Sequence, residues 1–214
     1  MKKEFWIFVD GGAKPLDDKR SKFHGSYGYI ITEARREGEI VEIKRGGNYF
    51  KETTAPRMEL MAVAHALTFL NSYIDNDPLI EGGEIYIVAD AKNTVLTMTQ
   101  WVFSWIRNMK DNILYRKDNN RKLVPVLNQD IIATAYNLVV ALSKKFTVKF
   151  LHINSHIKTD EIDEAHMKFQ KFNNMVIGRP DFLTLIRMNE EVDKLLNHYH
   201  VKGIELSEQE NKNG

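Results

Sequence analysis

The sequence predicts an α/β fold: a mixed five-stranded sheet, antiparallel at its start, flanked by helices. Three observations carry this. The apolar, β-branched and aromatic runs Phe5–Val9 and Glu84–Ala89 each end at an aspartate, Asp10 and Asp90, and runs of that length and make-up are buried strands. The strand-like stretches Gly25–Glu33 and Glu39–Phe50 flank Arg35-Arg36-Glu37-Gly38, which suits a hairpin turn. Longer stretches between and after them repeat their apolar residues at helical spacing.

Element by element, Ala13–His24 is polar, contains Pro15 and reads as a loop. The first long helix spans about Pro56 to Ile74, with Leu60, Val63, Ala64, Leu67 and Ile74 in period. Thr54 suits its N-cap and Pro56 its first turn. A helix over Ala91–Gln100 follows the second buried strand, then a Trp-bearing helical piece over Trp101–Met109. Asn128–Lys144 is a further helix and Phe146–Ile153 a last strand. Thr159–Asn173 is amphipathic, with Ile162, His166, Phe169 and Phe172 on one stripe. After the break at Gly178-Arg179-Pro180, a final helix runs from Phe182 to about Tyr199, capped by Asp181, with Phe182, Leu185, Ile186, Asn189, Val192, Asp193 and Leu196 on its stripe. Residues 201–214 are polar and read as a flexible tail.

The 214 residues, 43% hydrophobic and 28% charged, suffice for one domain with a sizeable core. The 30 Lys and Arg against 29 Asp and Glu give a net charge of +1, which excludes a histone-like or polyacidic protein. With no cysteine, disulfides, thiolate zinc sites and thiol nucleophiles are excluded. Met1-Lys2-Lys3-Glu4 runs straight into a strand, too short for a signal peptide, and no run reaches the roughly 18 apolar residues of a membrane span. A soluble cytoplasmic protein is the expectation.

Four carboxylates occupy positions that packing alone would give to apolar residues. Asp10 and Asp90 end buried strands, where open α/β sheets build functional crevices. Glu59 shares a helix face with Val63, Ala66 and Leu70, and Asp193 lies on the stripe of the last helix. Singly, each has an ordinary explanation: a turn former, a dipole partner, a solvated flank. Together they repel one another and cost desolvation unless cations neutralise them. An oxygen-only cluster suits Mg²⁺ or Mn²⁺, and two such ions about 3.5–4 Å apart activate water and stabilise a leaving oxygen in phosphodiester cleavage.

Phe5-Trp6-Ile7-Phe8-Val9-Asp10-Gly11-Gly12, the TTxxRxEL run Thr53–Leu60 and Ile87-Val88-Ala89-Asp90 resemble, in order and spacing, the three core motifs of type 1 ribonuclease H. Thr99–Trp105 followed by basic residues, Asn128-Gln129-Asp130, His156 after a strand, and Asn189-Glu190-Glu191-Val192-Asp193 are similar to further parts of that family. The resemblance covers residues 4–156 and 186–198. It implies the ribonuclease H-like fold and Mg²⁺-dependent endonucleolytic hydrolysis of the RNA strand of an RNA–DNA hybrid by two ions, Mn²⁺ substituting, leaving 5′-phosphate and 3′-OH. Asp10, Glu59, Asp90 and Asp193 would be the metal ligands, and His156 would assist proton movement or product release. Gly11, Gly12, Thr54, Asn93, Trp101, Trp105, Asn128 and Gln129 would contact the hybrid, although Asn93, Asn128 and Gln129 serve equally well as helix caps. Arg107–Lys122 holds six basic and two acidic residues. In the family this place is a handle for phosphates of the DNA strand, here Arg116, Lys117, Arg121 and Lys122; otherwise it is a solvated loop.

The sequence departs from the family in three places. Ala55 and Pro56 stand where the family usually has polar residues that touch the minor groove. A charged loop replaces the glycine-rich turn after Asp10. Residues 157–188 form an insertion with five basic and five acidic residues, whose apolar stripe must be covered by the same chain, a second copy or another protein, the same chain being the simplest. The expected organisation is one domain over 1–200 that includes this insertion. A same-fold nuclease preferring DNA or structured RNA is the alternative, and a non-catalytic hybrid-binding module is disfavoured by the full set of carboxylates.

Overall fold

The computed structural model describes residues 1–15, 23–35 and 39–213, with side chains through 209. Its strands are β1 (Lys2–Pro15), β2 (Phe23–Ala34), β3 (Ile40–Phe50), β4 (Gly82–Ala89), β5 (Tyr115–Lys117), β6 (Leu123–Pro125) and β7 (Phe146–His152). Its helices are α1 (Ala55–Asp75), α2 (Lys92–Leu96), α3 (Val102–Arg107), α4 (Gln129–Leu142), α5 (Ile162–Asn173) and α6 (Arg179–Asn213). A π turn over Thr97–Trp101 joins α2 to α3, and a 3₁₀ turn over Thr159–Glu161 leads into α5.

The main sheet has the order β3-β2-β1-β4-β7, antiparallel through β3, β2 and β1 and parallel through β1, β4 and β7. This is the mixed five-stranded sheet that the sequence predicts. Both faces are covered, so side chains of both parities are buried. Phe5, Ile7 and Val9 of β1 join Ile85, Ile87 and Ala89 of β4 beneath α1 and α4. Phe8, Tyr86 and Val88 face the other way, toward Ala165 and Phe169 of α5 and Phe182, Leu185 and Val192 of α6. The insertion thus packs Ala165, Phe169, Phe182 and Leu185 against the sheet of its own chain. Phe172, placed on the insertion's apolar stripe by spacing, is 41% exposed, because the helix turns its Ala165–Phe169 edge to the sheet.

Several boundaries differ from the sequence reading. β1 does not stop at the glycines: it pairs with β2 through Pro15, so Ala13–Pro15 and Phe23–His24 are strand rather than loop. Backbone bonds to β2 hold this stretch extended despite its polar side chains. Residues 16–22 of that expected loop and 36–38 of the expected turn lie outside the described residues; Arg35 N donates to Glu39 O at 2.7 Å across the hairpin base. Thr54 precedes α1 without a side-chain cap, its carbonyl accepting from Arg57 and Met58 N–H. Asp181 lies inside the first turn of α6 instead of capping it. That helix also runs on to Asn213 in place of a tail from 201. Its extension packs on β3 by two notches: the Tyr199 ring lies against Gly47 and the Tyr49 ring against Gly203. Contacts made by glycine carry no apolar signal in the sequence.

Candidate metal centre and flanking grooves

Register places the first two carboxylates. Parallel pairing of β1 with β4 ends at Val9 and Ala89. Asp10 and Asp90 are each the next residue on neighbouring central strands, and share the sheet face of Phe8 and Val88 by the two-residue strand period.

Glycines then let two helices approach. A Cβ on Gly11 would overlap the Met58–Glu59 backbone of α1, so only glycine admits the helix at that point. This close approach brings Glu59 to Asp10. On β2, Gly28 pairs with Asp10, and a Cβ there would lie 3.2 Å from Leu196 N and 3.3 Å from Val192 O of α6. The second approach carries Asp193 to the same end of the sheet.

Carboxylate oxygens of Asp10, Glu59 and Asp90 lie within 4.8 Å of one another. Burial and the charge of Asp90 push the Asp10 carboxyl up to about 7, against the Gly11 N–H that donates to its Oδ1 at 2.7 Å. Burial, then Asp10 and Asp90, raise Glu59 well above the ordinary carboxylate range. Asp90 is raised by burial. Among the described residues, Glu59 Oε2 is buried with no hydrogen-bond partner. A buried, orphaned carboxylate oxygen beside two further carboxylates is unfavourable alone and becomes favourable around a cation. The hard, oxygen-only donor set fits a divalent ion such as Mg²⁺ or Mn²⁺. Asp193 stands outside this group of three. Its charge raises both Asp10 and Asp90, and its Oδ1 accepts from Asn197 Nδ2 at 3.1 Å.

His156 is exposed with φ 53° on the loop after β7. It lines a depression of about 440 Å³ together with Asp90, Asn154, Glu161 and Glu164. His152 was not singled out by sequence: its ring Nε2 lies 3.0 Å from Asp90 O. A histidine inside a strand carries no sequence sign of this, because the contact depends on β4–β7 register.

On the other side of α2, a groove of about 970 Å³ gathers Thr54, Asn93, Trp101, Trp105, Arg116, Lys117 and Asn128. The two indoles lie 6.1 Å apart at 44°, and Arg116 and Lys117 come from the small β5–β6 hairpin. Arg121 and Lys122 sit at that hairpin's turn and do not line the groove. Asp118 Oδ1 accepts from Asn120 and Lys122 N–H and closes the turn. Gln129 is drawn into structure instead, its Oε1 accepting from Leu114 N at 2.9 Å. Gly11 is buried under α1 and is not open to a ligand, whereas Gly12 is half-buried. Asn128 adopts a left-handed conformation ahead of α4. Arg57 of the TTxxRxEL run reaches Asn128 Oδ1 at 3.4 Å and pairs with both oxygens of Asp130 at 3.2 and 2.9 Å. It thereby locks the start of α1 to the start of α4, a role that its spacing from Glu59 did not reveal.

A mixed sheet in this order, with carboxylates at the ends of its two central strands and on the first helix, defines an α/β domain with an acidic cluster that could hold a cation. The RNase H family model matches residues 2–168, and the chain belongs to that family. The match takes in Asp10, Glu59, Asp90 and His156 and ends within α5, before Asp193. Among solved structures, the chain is similar to LC9-RNase H1, a type 1 RNase H with the type 2 active-site motif, at 15% identity over 88% of this chain and 84% of that one, with a TM-score of 0.53. It is also similar to the PFV RNase H domain, at 14% identity over 81% and 94% and a TM-score of 0.52. These likenesses are likenesses of fold. No curated protein sequence matches the chain. Among the described residues, no helix is long and apolar enough to cross a membrane.

Proposed function

We propose that this chain is a Mg²⁺-dependent endoribonuclease that hydrolyses the RNA strand of RNA–DNA hybrids, leaving 5′-phosphate and 3′-OH. The observation that carries the reading is the half-buried carboxylate triad, with Glu59 Oε2 buried and unpartnered among the described residues, set in an RNase H domain. Asp10, Glu59 and Asp90 would hold the metal, and Asp193, whose charge acts on Asp10 and Asp90, would be the ligand added for a second ion. Bound there, divalent ions supply an activated water and stabilise the leaving oxygen. Gly11 N–H holds Asp10 in place through its Oδ1. His156, exposed and lining the same depression as Asp90, would assist proton movement or product release.

Selection of a hybrid requires contacts to 2′-hydroxyls in a minor groove. Thr54, Asn93 and Asn128 line the Trp101 groove and offer suitable donors and acceptors, and Arg116 and Lys117, which line the same groove, would take phosphates. Pro56 on the wall of the same groove offers no donor, which makes the strictness of hybrid selection the part to measure. Matched RNA–DNA, RNA–RNA, DNA–DNA and single-stranded substrates are incubated with Mg²⁺ and with EDTA. The expected result is metal-dependent cleavage of the hybrid's RNA strand. Cleavage of duplex RNA or DNA in preference to the hybrid, or no cleavage by a folded, metal-loaded protein, overturns the reading.

A further inference from the structure

On the side of α2 away from the tryptophans, the insertion builds a second wall. A depression of about 540 Å³ adjoins the one that holds His156 and Asp90, and the two share Asn154, Ala165 and Lys168. They form one trench running from Asp90 along α5. Its near end carries Glu161 and Glu164. Its far end is lined by Lys92, Lys168 and Lys171, with His152 and Phe172, and among the described residues by no carboxylate. Lys168 and Lys171 stand three residues apart and so share one face of α5. Lys92 reaches the trench from the start of α2, two residues after Asp90, with its Nζ 5.1 Å from the centre of the Phe172 ring.

The wall is fixed in place. β7 is an edge strand, and Asn173 at the end of α5 occupies its open edge. Asn173 Oδ1 accepts from His152 N at 2.8 Å, and its Nδ2 donates to His152 O and Phe169 O, each at 2.9 Å. A helix held this way presents its lysines on a backbone already in place, so binding there orders side chains and not the helix.

We infer that this trench is a phosphate-binding subsite for the strand being cut, in which Lys92, Lys168 and Lys171 hold backbone phosphates beyond the scissile one, on the side of the carboxylates opposite the β5–β6 hairpin. The inference deepens the proposed nuclease function and rests on it for the identity of the strand. The chemistry follows from what lines the trench: lysine ammoniums are point-charge partners for phosphate, and Phe172 and Asn154 add an apolar face and an amide. The inserted segment thus extends the substrate footprint and does not merely fill space on the sheet.

The test compares the wild-type chain with Lys168→Gln/Lys171→Gln and with Lys171→Gln alone, which leaves the Lys168–Glu164 ion pair intact. All these positions are exposed, and circular dichroism checks the fold. Binding by fluorescence anisotropy and cleavage kinetics are measured against salt on a long hybrid and on hybrids shortened close to the cut on either side. Each lost phosphate contact flattens the slope of log affinity against log salt by about 1, so the double variant loses about 2 and the single about 1. KM on the long hybrid rises with kcat unchanged. On the hybrid shortened on the trench side, wild type and variants converge; on the one shortened on the other side, they stay apart. Equal salt slopes for variants and wild type overturn the inference, as does a KM gap that persists on both shortened hybrids. Anisotropy keeps the outcomes separable: a lysine-dependent slope without cleavage supports the trench while refuting the nuclease reading.

Discussion

Replacing Asp10 by Asn should make the metal-free protein more stable. Asp10 is only 7% exposed, and its carboxyl is pushed from 3.8 to about 7 by burial, Asp90 and Asp193. Between its two protonation states that shift is worth about 4 kcal/mol, which the folded chain bears once the group ionises. Asparagine removes the charge and keeps an Oδ1 acceptor for the Gly11 N–H. The sign follows from proton uptake. Because the folded value lies above the unfolded one, the folded state holds more protons between about pH 4 and pH 7, and stability from this group is lost as pH rises through that window. In EDTA at about pH 8 the variant should melt roughly 10 °C above wild type, since 1 kcal/mol corresponds to about 2–4 °C at this chain length. At about pH 4 the gap should close, because both proteins are then neutral at this position. Mg²⁺ should raise the wild-type Tm more than the variant's, by binding the ionised cluster. Calorimetry with and without metal across this range is the assay. A variant that melts no higher than wild type at the alkaline end in EDTA refutes the reasoning that burial and the neighbouring carboxylates together oppose ionisation of Asp10.

Gly11→Ala should destabilise the fold by about 3 kcal/mol, because its Cβ must displace the α1 backbone, and should abolish cleavage by moving Glu59. Urea denaturation of Gly12→Ala provides the comparison, since a Cβ there meets only Leu196 Cδ2 at 3.7 Å. Charge reversal at Arg116 and Lys117, which line the Trp101 groove, should raise KM and flatten the salt slope by at least about 2. The same change at Arg121 and Lys122, at the hairpin turn, should do less, and equal effects would place the phosphate path across the turn.

Much of the fold was legible because its signals are local. The aspartates stood out at the ends of Phe5–Val9 and Glu84–Ala89, where hydrophobic runs break off against a charge. The last helix showed its buried stripe of Phe182, Leu185, Asn189, Val192 and Leu196 at helical spacing. What stayed hidden depended on partners distant in sequence. β1 continues past its glycines because β2 supplies the hydrogen bonds. The end of α6 is held by glycine notches against Tyr49 and Tyr199, and small residues leave no hydrophobic trace. Gln129 read as a ligand contact or a cap and proved to tether Leu114, a choice made by where the β5–β6 segment folds back.

By itself the sequence determined the composition of the site: oxygen ligands and no thiols, acidic residues at strand ends, and a basic segment after two tryptophans. Strand length, helical period and residue chemistry are properties of neighbours along the chain, and they suffice for that. Only the tertiary structure decided the geometry. Parallel register set Asp10 beside Asp90, Gly11 and Gly28 admitted two helices from opposite faces of the sheet, and Asn173 fixed the inserted helix to an edge strand so that its lysines flank the carboxylates. Close approach and register are relations between distant segments, set by packing on both faces of the sheet at once.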